Sequence, residues 1–454
     1  MDRQSLTRRS FLAATTLAGM NAAATRPPNI VFIVLDDLGY GDFGCYGQKL
    51  IRTPNVDRFS TEGTRFTDCY AGGTVCAPSR SALMTGMHTG HGAVRANAGT
   101  IPLLANDVTV AETLKRAGYA TGGFGKWGLG DAGSDGVPTR HGFDRFFGYL
   151  HQVHAHDYYT DFLWDNDTRY PLPGNANGGR KQYTADVIAE KSYEFLTANK
   201  DRPFFLYCCY TLPHGKFEVP SLTPYEKETW PEGAKTYASM VTRVDGYIGR
   251  VLALLKQHNL EQNTVVFVTS DNGAHKGEEK GFNLFRSNGI LRGQKGDMYE
   301  GGIRVPMMVR WPGKVKAGAV SDVPWVFYDF PATAAAIAGA KAQPGTDSVS
   351  VLPLLTGAKQ TPHEFLYWEA NLFDQKAGKM RDDRLAQAVR MGDWKAVRTK
   401  PGAPLELYNL RTDQGEQKDL AAAKPEVVAK IEAYLKGART TPRPHNTGSM
   451  QWVK

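Results

Sequence analysis

The run from Asn29 to Leu35 (NIVFIVL) is almost wholly apolar and rich in β-branched residues, then stops at Asp36-Asp37. Such continuity, without the alternation of a half-exposed strand, predicts a parallel strand covered on both faces. Three further runs read the same way: Tyr119 to Gly125, Gly-rich and ending at Lys126; Phe204 to Tyr210, leading to His214; and Thr264 to Thr269, ending near Asp271-Asn272. Between them, helical spacing of apolar residues predicts helices over Val110 to Ala117, Ala185 to Ala198 and Tyr237 to Gln257. Strand alternating with helix implies an α/β fold with a large, mostly parallel mixed sheet flanked by helices. Open sheets of this kind bind ligands outside the carboxyl ends of their strands, where the polar residues ending these runs fall.

The texture changes near Thr361. Phe365 to Trp368, a hairpin from Ala386 to Arg398 turning at Gly392-Asp393, and Leu405 to Tyr408 read as short strands, followed by a helix from Pro425 to Leu435. Residues 25–360 are thus expected to form one unit. Residues 361–454 are expected to form a smaller antiparallel sheet with one packed helix, joined through the stretch from Pro353 to Pro362.

Ahead of the first strand stands Thr7-Arg8-Arg9-Ser10-Phe11-Leu12, a twin-arginine pattern. An apolar run too short to span a bilayer follows, closed by Ala22-Ala23-Ala24. Residues 1–24 are therefore expected to be an export signal, and the mature chain to be periplasmic or secreted without a membrane span. The net charge of +8 is spread too evenly along the 454 residues to read as a nucleic-acid stripe. The 5 cysteines are an odd count, so at least one is unpaired, and Cys208-Cys209 inside an apolar run reads as two buried small hydrophobes.

Asp36, Asp37, Asp271 and Asn272 form an all-oxygen donor set, which favours Ca²⁺ or Mg²⁺ over Zn²⁺. A helix expected over Ser79 to His88 puts Cys76 near its N-terminus, where free N–H groups favour an anion. The loop from Gly273 to Glu300, with His275, Asn283, Phe285, Arg286 and Asn288, is long and charged enough to be a binding loop. Tyr158, Tyr159 and Trp164 suit either sugar stacking or packing.

The segment Cys76-Ala77-Pro78-Ser79-Arg80-Ser81-Ala82-Leu83-Met84-Thr85-Gly86 resembles the signature of type I sulfatases of the alkaline phosphatase superfamily. Asp36-Asp37, Gly125-Lys126-Trp127, Pro213-His214, Ser270 to Gly273, Lys295 and Gly301 to Pro306 match it in the same order. The resemblance implies oxidation of Cys76 to formylglycine, either by a formylglycine-generating enzyme or by an anaerobic maturation enzyme. It implies one Ca²⁺ on Asp36, Asp37, Asp271, Asn272 and residue 76. Arg80 would contact the aldehyde hydrate and the metal-bound carboxylates, Lys126 and Lys295 would hold sulfate, and His214 would contact sulfate and protonate the leaving alcohol.

Resemblance over His141 to Asn166 leans toward carbohydrate sulfatases acting on galactose or N-acetylgalactosamine sulfates, with His154, His156 and His275 as candidate substrate contacts. One position departs from the pattern. Where many members carry His, this chain has Gly128, and His154, or failing that His156, is expected to supply the missing imidazole. Two other readings compete: a phosphomonoester or phosphonate hydrolase of the same superfamily, and a catalytically silent protein that binds sulfated glycans.

Overall fold

The structure, a computed structural model, describes residues 26–97, 101–277, 280–374 and 379–443; the twin-arginine segment lies outside them. Its centre is a 10-stranded sheet. In chain order the strands are β1 (Asn29–Leu35), β2 (Thr64–Phe66), β3 (Ala120–Lys126), β4 (Arg145–Tyr149), β5 (Phe162–Asp165), β6 (Thr168–Pro171), β7 (Phe204–Cys209), β8 (Thr264–Ser270), β9 (Met307–Arg310) and β10 (Ala319–Ser321). They lie side by side as β10-β2-β9-β8-β1-β7-β3-β4-β5-β6. The block β8-β1-β7-β3-β4 is parallel throughout. Antiparallel pairs extend it through β9 and β2 on one side and through β5 and β6 on the other.

The apolar continuity of β1 has a direct cause, because its alternate residues feed two separate cores. Val31, Ile33 and Leu35 pack with the helices Thr184–Ala198 and Glu232–Gln257, whereas Ile30, Phe32 and Val34 pack with Val110–Arg116 and Phe330–Ile337. Four-stranded and antiparallel, the C-terminal sheet comprises Leu366–Ala370, Ala386–Met391, Trp394–Arg398 and Glu406–Asn409. One face carries the helix Pro425–Leu435 through Tyr367, Val389, Leu407 and Ile431. The other docks on the larger unit, where Trp368 packs with Tyr70, Ile303 and Val326 and its Nε1 donates to the Ala71 carbonyl at 2.8 Å. None of the described helices is long and apolar enough to cross a membrane.

The helix expected over Ser79 to His88 instead spans Cys76–Thr85. Gly86, at φ +74°, ends it with its N–H on the Ala82 carbonyl, and Pro78 is tolerated because the first turn needs no N–H from it. Cys76 is therefore the first residue of the helix, not one that precedes it. All five cysteines are free.

Candidate active site

The site gathers at the carboxyl ends of β1, β3, β7 and β8. Asp36 and Asp37 follow β1, Lys126 ends β3, and Asp271 and Asn272 follow β8. His214 lies on the loop after β7. Pairing between β1 and β8 runs to Leu35 opposite Ser270, so the acidic pairs of both strands leave the sheet at one level. Asp37 takes φ +63°, a left-handed conformation uncommon outside glycine, and its N–H donates to Asp271 Oδ1 at 3.2 Å.

Fixed cations knit the carboxylates together. Arg80 is 1% exposed; its Nε and Nη2 donate to Asp271 Oδ2 at 3.0 and 2.9 Å, and its Nη1 donates to the Lys126 carbonyl at 2.6 Å. Lys126 Nζ donates to Asp36 Oδ2 at 2.7 Å, and Lys295 Nζ to Asp37 Oδ2 at 2.8 Å. Burial alone would raise the Asp36 carboxyl, but Lys126, His214, Arg80 and Lys295 hold it well below the usual carboxylate range. Lys295 and His214 likewise outweigh burial at Asp37, bringing it to about 2. At Asp271, burial and the charge of Asp36 prevail over Arg80 and raise it to about 6.

Cys76 Sγ donates to Asp36 Oδ1 at 3.3 Å from the first turn of a helix whose N-cap, Val75, has no side chain able to cap it. Burial, then the charges of Asp271 and Asp36, push its thiol far up. His214 hydrogen-bonds through Nδ1 to the Gly215 carbonyl, leaving Nε2 toward Lys295 Nζ at 3.4 Å and Asp37 Oδ2 at 3.5 Å. Burial lowers its pKa to about 4. Ligand atoms of Asp36, Asp37, Cys76 and His214 lie within 4.8 Å of one another. Asn272 donates from Nδ2 to Asp37 Oδ1 at 2.8 Å, while its buried Oδ1 has no hydrogen-bond partner among the described residues. An orphaned oxygen beside three carboxylates fits a hard divalent cation.

The histidine segment reverses the expected preference. His154 Nε2 is held by Thr160 Oγ1 at 2.9 Å and the ring packs on Tyr149 and Phe162, away from the carboxylates, because the Tyr149 and Phe162 rings offer it an apolar slot. His156 stacks on His214 at 4.5 Å between ring centroids and feels the charges of Lys126, Asp36 and Lys295. Gly128 is explained by a residue that sequence reasoning missed. A Cβ there, at φ +74°, would lie 2.2 Å from Gln152 Nε2, so the Gln152 side chain fills the space that a residue-128 side chain would need. Gln152 is 5% exposed, and its Oε1 has no partner among the described residues.

Tyr158 proves to be a buried strut, its hydroxyl donating to the carbonyls of Thr211 and His214 at 2.9 Å. Trp164 packs on Phe162. His275 is exposed, and its Nδ1 lies 3.2 Å from the buried Lys280 Nζ. Much of the expected binding loop is pinned: Asn288 accepts from Ala274 N and donates to the carbonyls of Gly293 and Gly301, and Phe285 packs against Trp230 and Tyr237.

Comparison with known proteins agrees with this arrangement. The family described as Sulfatase matches residues 28–340, and the one described as N-sulphoglucosamine sulphohydrolase, C-terminal, matches residues 294–441. Human arylsulfatase A is 32% identical over 93% of this chain and 89% of its own length. Canine N-acetylgalactosamine-6-sulfatase is 33% identical over 85% and 74%. The crystal structure of Ps i-CgsB in complex with k-i-k-neocarrahexaose superposes with a TM-score of 0.79 at 28% identity, covering 93% of this chain and 96% of that one. The chain belongs to the sulfatase family and is a sulfuric ester hydrolase with an alkaline phosphatase-like fold.

Proposed function

We propose that the protein removes sulfate from sulfated carbohydrate, of the galactose or N-acetylgalactosamine type, using formylglycine made from Cys76 and one Ca²⁺ held by Asp36, Asp37, Asp271 and Asn272. The observation that carries this reading is the state of Cys76. It is a fully buried side chain on the first turn of a helix whose N-cap residue gives no side-chain cap, 3.3 Å from Asp36, and so well sited for an oxygen nucleophile facing an anion. Converted and hydrated, the residue supplies a nucleophilic oxygen and, through its second hydroxyl, a means of releasing sulfate. The cation supplies charge opposite sulfate and Lewis acidity, and the orphaned Asn272 Oδ1 supports its presence.

The chain's own groups do the remaining work. Arg80 fixes Asp271 and Asp36 from behind, so neither carboxylate can turn. Lys126 and Lys295, whose partners would be shared with a cation, aim their ammonium groups at sulfate oxygens and favour the charge that grows toward the leaving oxygen. His214, with its ring proton on Nδ1 toward the Gly215 carbonyl, turns Nε2 as a proton acceptor to the more open side of the site, with His156 stacked against it. Support for the sugar comes from relatives named for N-acetylgalactosamine sulfate and from a neighbour crystallised with a neocarrahexaose. Export by the twin-arginine route, read from Thr7 to Leu12 alone, would place the mature enzyme in the periplasm or outside the cell.

The test is production with a formylglycine-generating enzyme, followed by peptide mass spectrometry across Cys76 and turnover of sulfated mono- and disaccharides, aryl sulfates and phosphate monoesters. An aldehyde at residue 76, bound Ca²⁺ and fastest turnover on a galactose or N-acetylgalactosamine sulfate are expected. Full activity in Cys76→Ala, or faster turnover of phosphate esters, would refute the reading.

A further inference from the structure

Cations on the loop from Gly273 to Glu300 divide into engaged and idle ones. Lys295 pairs with Asp37 in the active site, Lys280 lies over the rings of Phe217 and Tyr237, and Arg292 lies over the Tyr299 ring and donates to the Tyr408 hydroxyl and the Glu416 carbonyl. Lys276 and Arg286 do none of this. Both are exposed, and among the described residues neither side chain makes an ion pair, a hydrogen bond or a ring contact. Arg286 also sits on strained backbone. It closes the short helix Phe282–Phe285 at φ +50°, the left-handed region that favours glycine, and its carbonyl accepts from Gly289 N at 2.6 Å. Glycine would fill that position without strain, yet a long cation stands there. Strained non-glycine residues gather at ligand clamps, where the side chain is needed.

The two idle cations meet at a cavity of about 490 Å³, within the range for ligand sites. Its described lining comes from this loop alone, with Phe282 and Asn283 on one side and Gln294, the residue before Lys295, on the other. Lys295 N donates to the Ala274 carbonyl at 2.9 Å, so the stretch leading to Lys276 and the stretch holding Gln294 run together. The cavity therefore flanks the residue that reaches Asp37. Asp297 is the one carboxylate in the described lining; it is half-buried and accepts from Gln294 N at 3.1 Å. Two uncommitted cations against one engaged carboxylate leave the cavity positive.

We propose that this cavity binds a second anionic group of the substrate, a carboxylate or a sulfate, carried beyond the ester that is cleaved. Arg286 and Lys276 would take the anion, with charge-assisted hydrogen bonds in the case of the guanidinium. The amides of Asn283 and Gln294 suit sugar hydroxyls, and the Phe282 ring suits a C–H face. The assignment rests on the carbohydrate reading above and narrows it to glycans that carry charge at two places.

The test compares kcat/KM of the matured full-length enzyme for three disaccharides, in which N-acetylgalactosamine 6-sulfate is joined to a neutral hexose, to a uronic acid or to a sulfated hexose. Wild type should favour at least one anionic disaccharide over the neutral one, and which of the two it favours identifies the group. That preference should fall about 10-fold in Arg286→Gln, the scale of one charge-assisted hydrogen bond, and about threefold in Lys276→Gln. Lys314→Gln controls for net charge, because Lys314 is exposed just beyond the end of β9 that pairs near Val266, at the opposite end of the sheet. No preference in wild type, a preference kept in the Arg286→Gln/Lys276→Gln double variant, or an equal loss in Lys314→Gln overturns the site. If wild type turns over no sugar sulfate, the carbohydrate reading is what fails. Calorimetric titration with the two anionic disaccharides still decides the cavity: binding weaker in Arg286→Gln than in wild type supports it, and equal binding, or none to wild type, overturns it.

Discussion

Two clusters of buried charge in this molecule have the same formal composition and different uses. Around Cys76, Asp36, Asp37 and Asp271 face Arg80, Lys126 and Lys295. Where the C-terminal sheet docks, Asp68, Glu300 and Glu416 face Arg304, Arg390 and Lys395. Each sets three carboxylates against three cations. In the second cluster the charges pair with one another beneath the sheet: Lys395 Nζ sits 2.9 Å from both Glu300 and Glu416 in ion pairs too bent to count as hydrogen bonds, and Tyr70 donates to Glu300 at 2.8 Å. The first is left open, with an orphaned amide oxygen at Asn272, a left-handed backbone at Asp37, and an edge at Lys295 and His214 that is not fully buried. Buried charge alone therefore does not mark a reaction centre. What sets the first cluster apart is its edge toward solvent, where His214 and Lys295 keep some exposure while Lys395, Glu300 and Glu416 have none.

The sharpest way to separate the two clusters is to delete one lysine from each. Lys126→Met should lower kcat/KM about 10³-fold, the scale of losing a group that stabilises transition-state charge, with a much smaller change in melting temperature in Ca²⁺. Lys395→Met should do the reverse. It strands Glu300 and Glu416 without their shared cation, which should cost about 3–5 kcal/mol in chemical denaturation, while turnover per folded molecule stays near wild type. Equal losses of activity and stability in both variants would erase the distinction.

A smaller effect tests the gap at Gly128. Gly128→His forces a side chain into a left-handed position and into Gln152, so turnover should fall, and Gln152→Ala in the same chain should recover part of the loss by vacating the space. Gln152→Ala alone should lower kcat/KM about 10-fold if its Oε1 serves substrate. Steady-state kinetics on the best sugar sulfate decides it, and a neutral Gln152→Ala would make this side chain filler.

The contrast also explains what the sequence could reveal. Long central strands leave continuous apolar runs, so β1, β7 and β8, and the acidic groups at their ends, were legible to within a residue. The short strands toward the sheet's margins, Thr64–Phe66, Phe162–Asp165 and Ala319–Ser321, were not, because segments of three or four residues carry no such pattern. Gln152 stayed hidden because it fills a space 24 residues away in the chain. Spacing named His154 and His156 together, but it cannot tell which way each ring of a single tight turn points.

That turn supplies the smallest and most specific effect. Burial, followed by the charge of His151, lowers the pKa of His154 to about 3. An imidazole in the unfolded chain titrates near 6.5. Below that pH the unfolded state takes up a proton that the folded state refuses, so stability is complete at neutral pH and drains as the pH falls from about 6.5 toward 3. The limiting slope is about 1.4 kcal/mol per pH unit for one such group. His88, brought down to about 4 chiefly by burial, adds loss of the same sign. His154→Gln keeps a polar group for Thr160 and removes the titration, so its denaturation midpoints between pH 7 and 4.5 should fall less steeply than wild type. Its turnover at pH 7 should stay within about twofold, because the ring packs on Tyr149 and Phe162 rather than beside Cys76. Parallel stability curves would show that His154 is charged in the fold after all, and a large loss of turnover would return it to the active site.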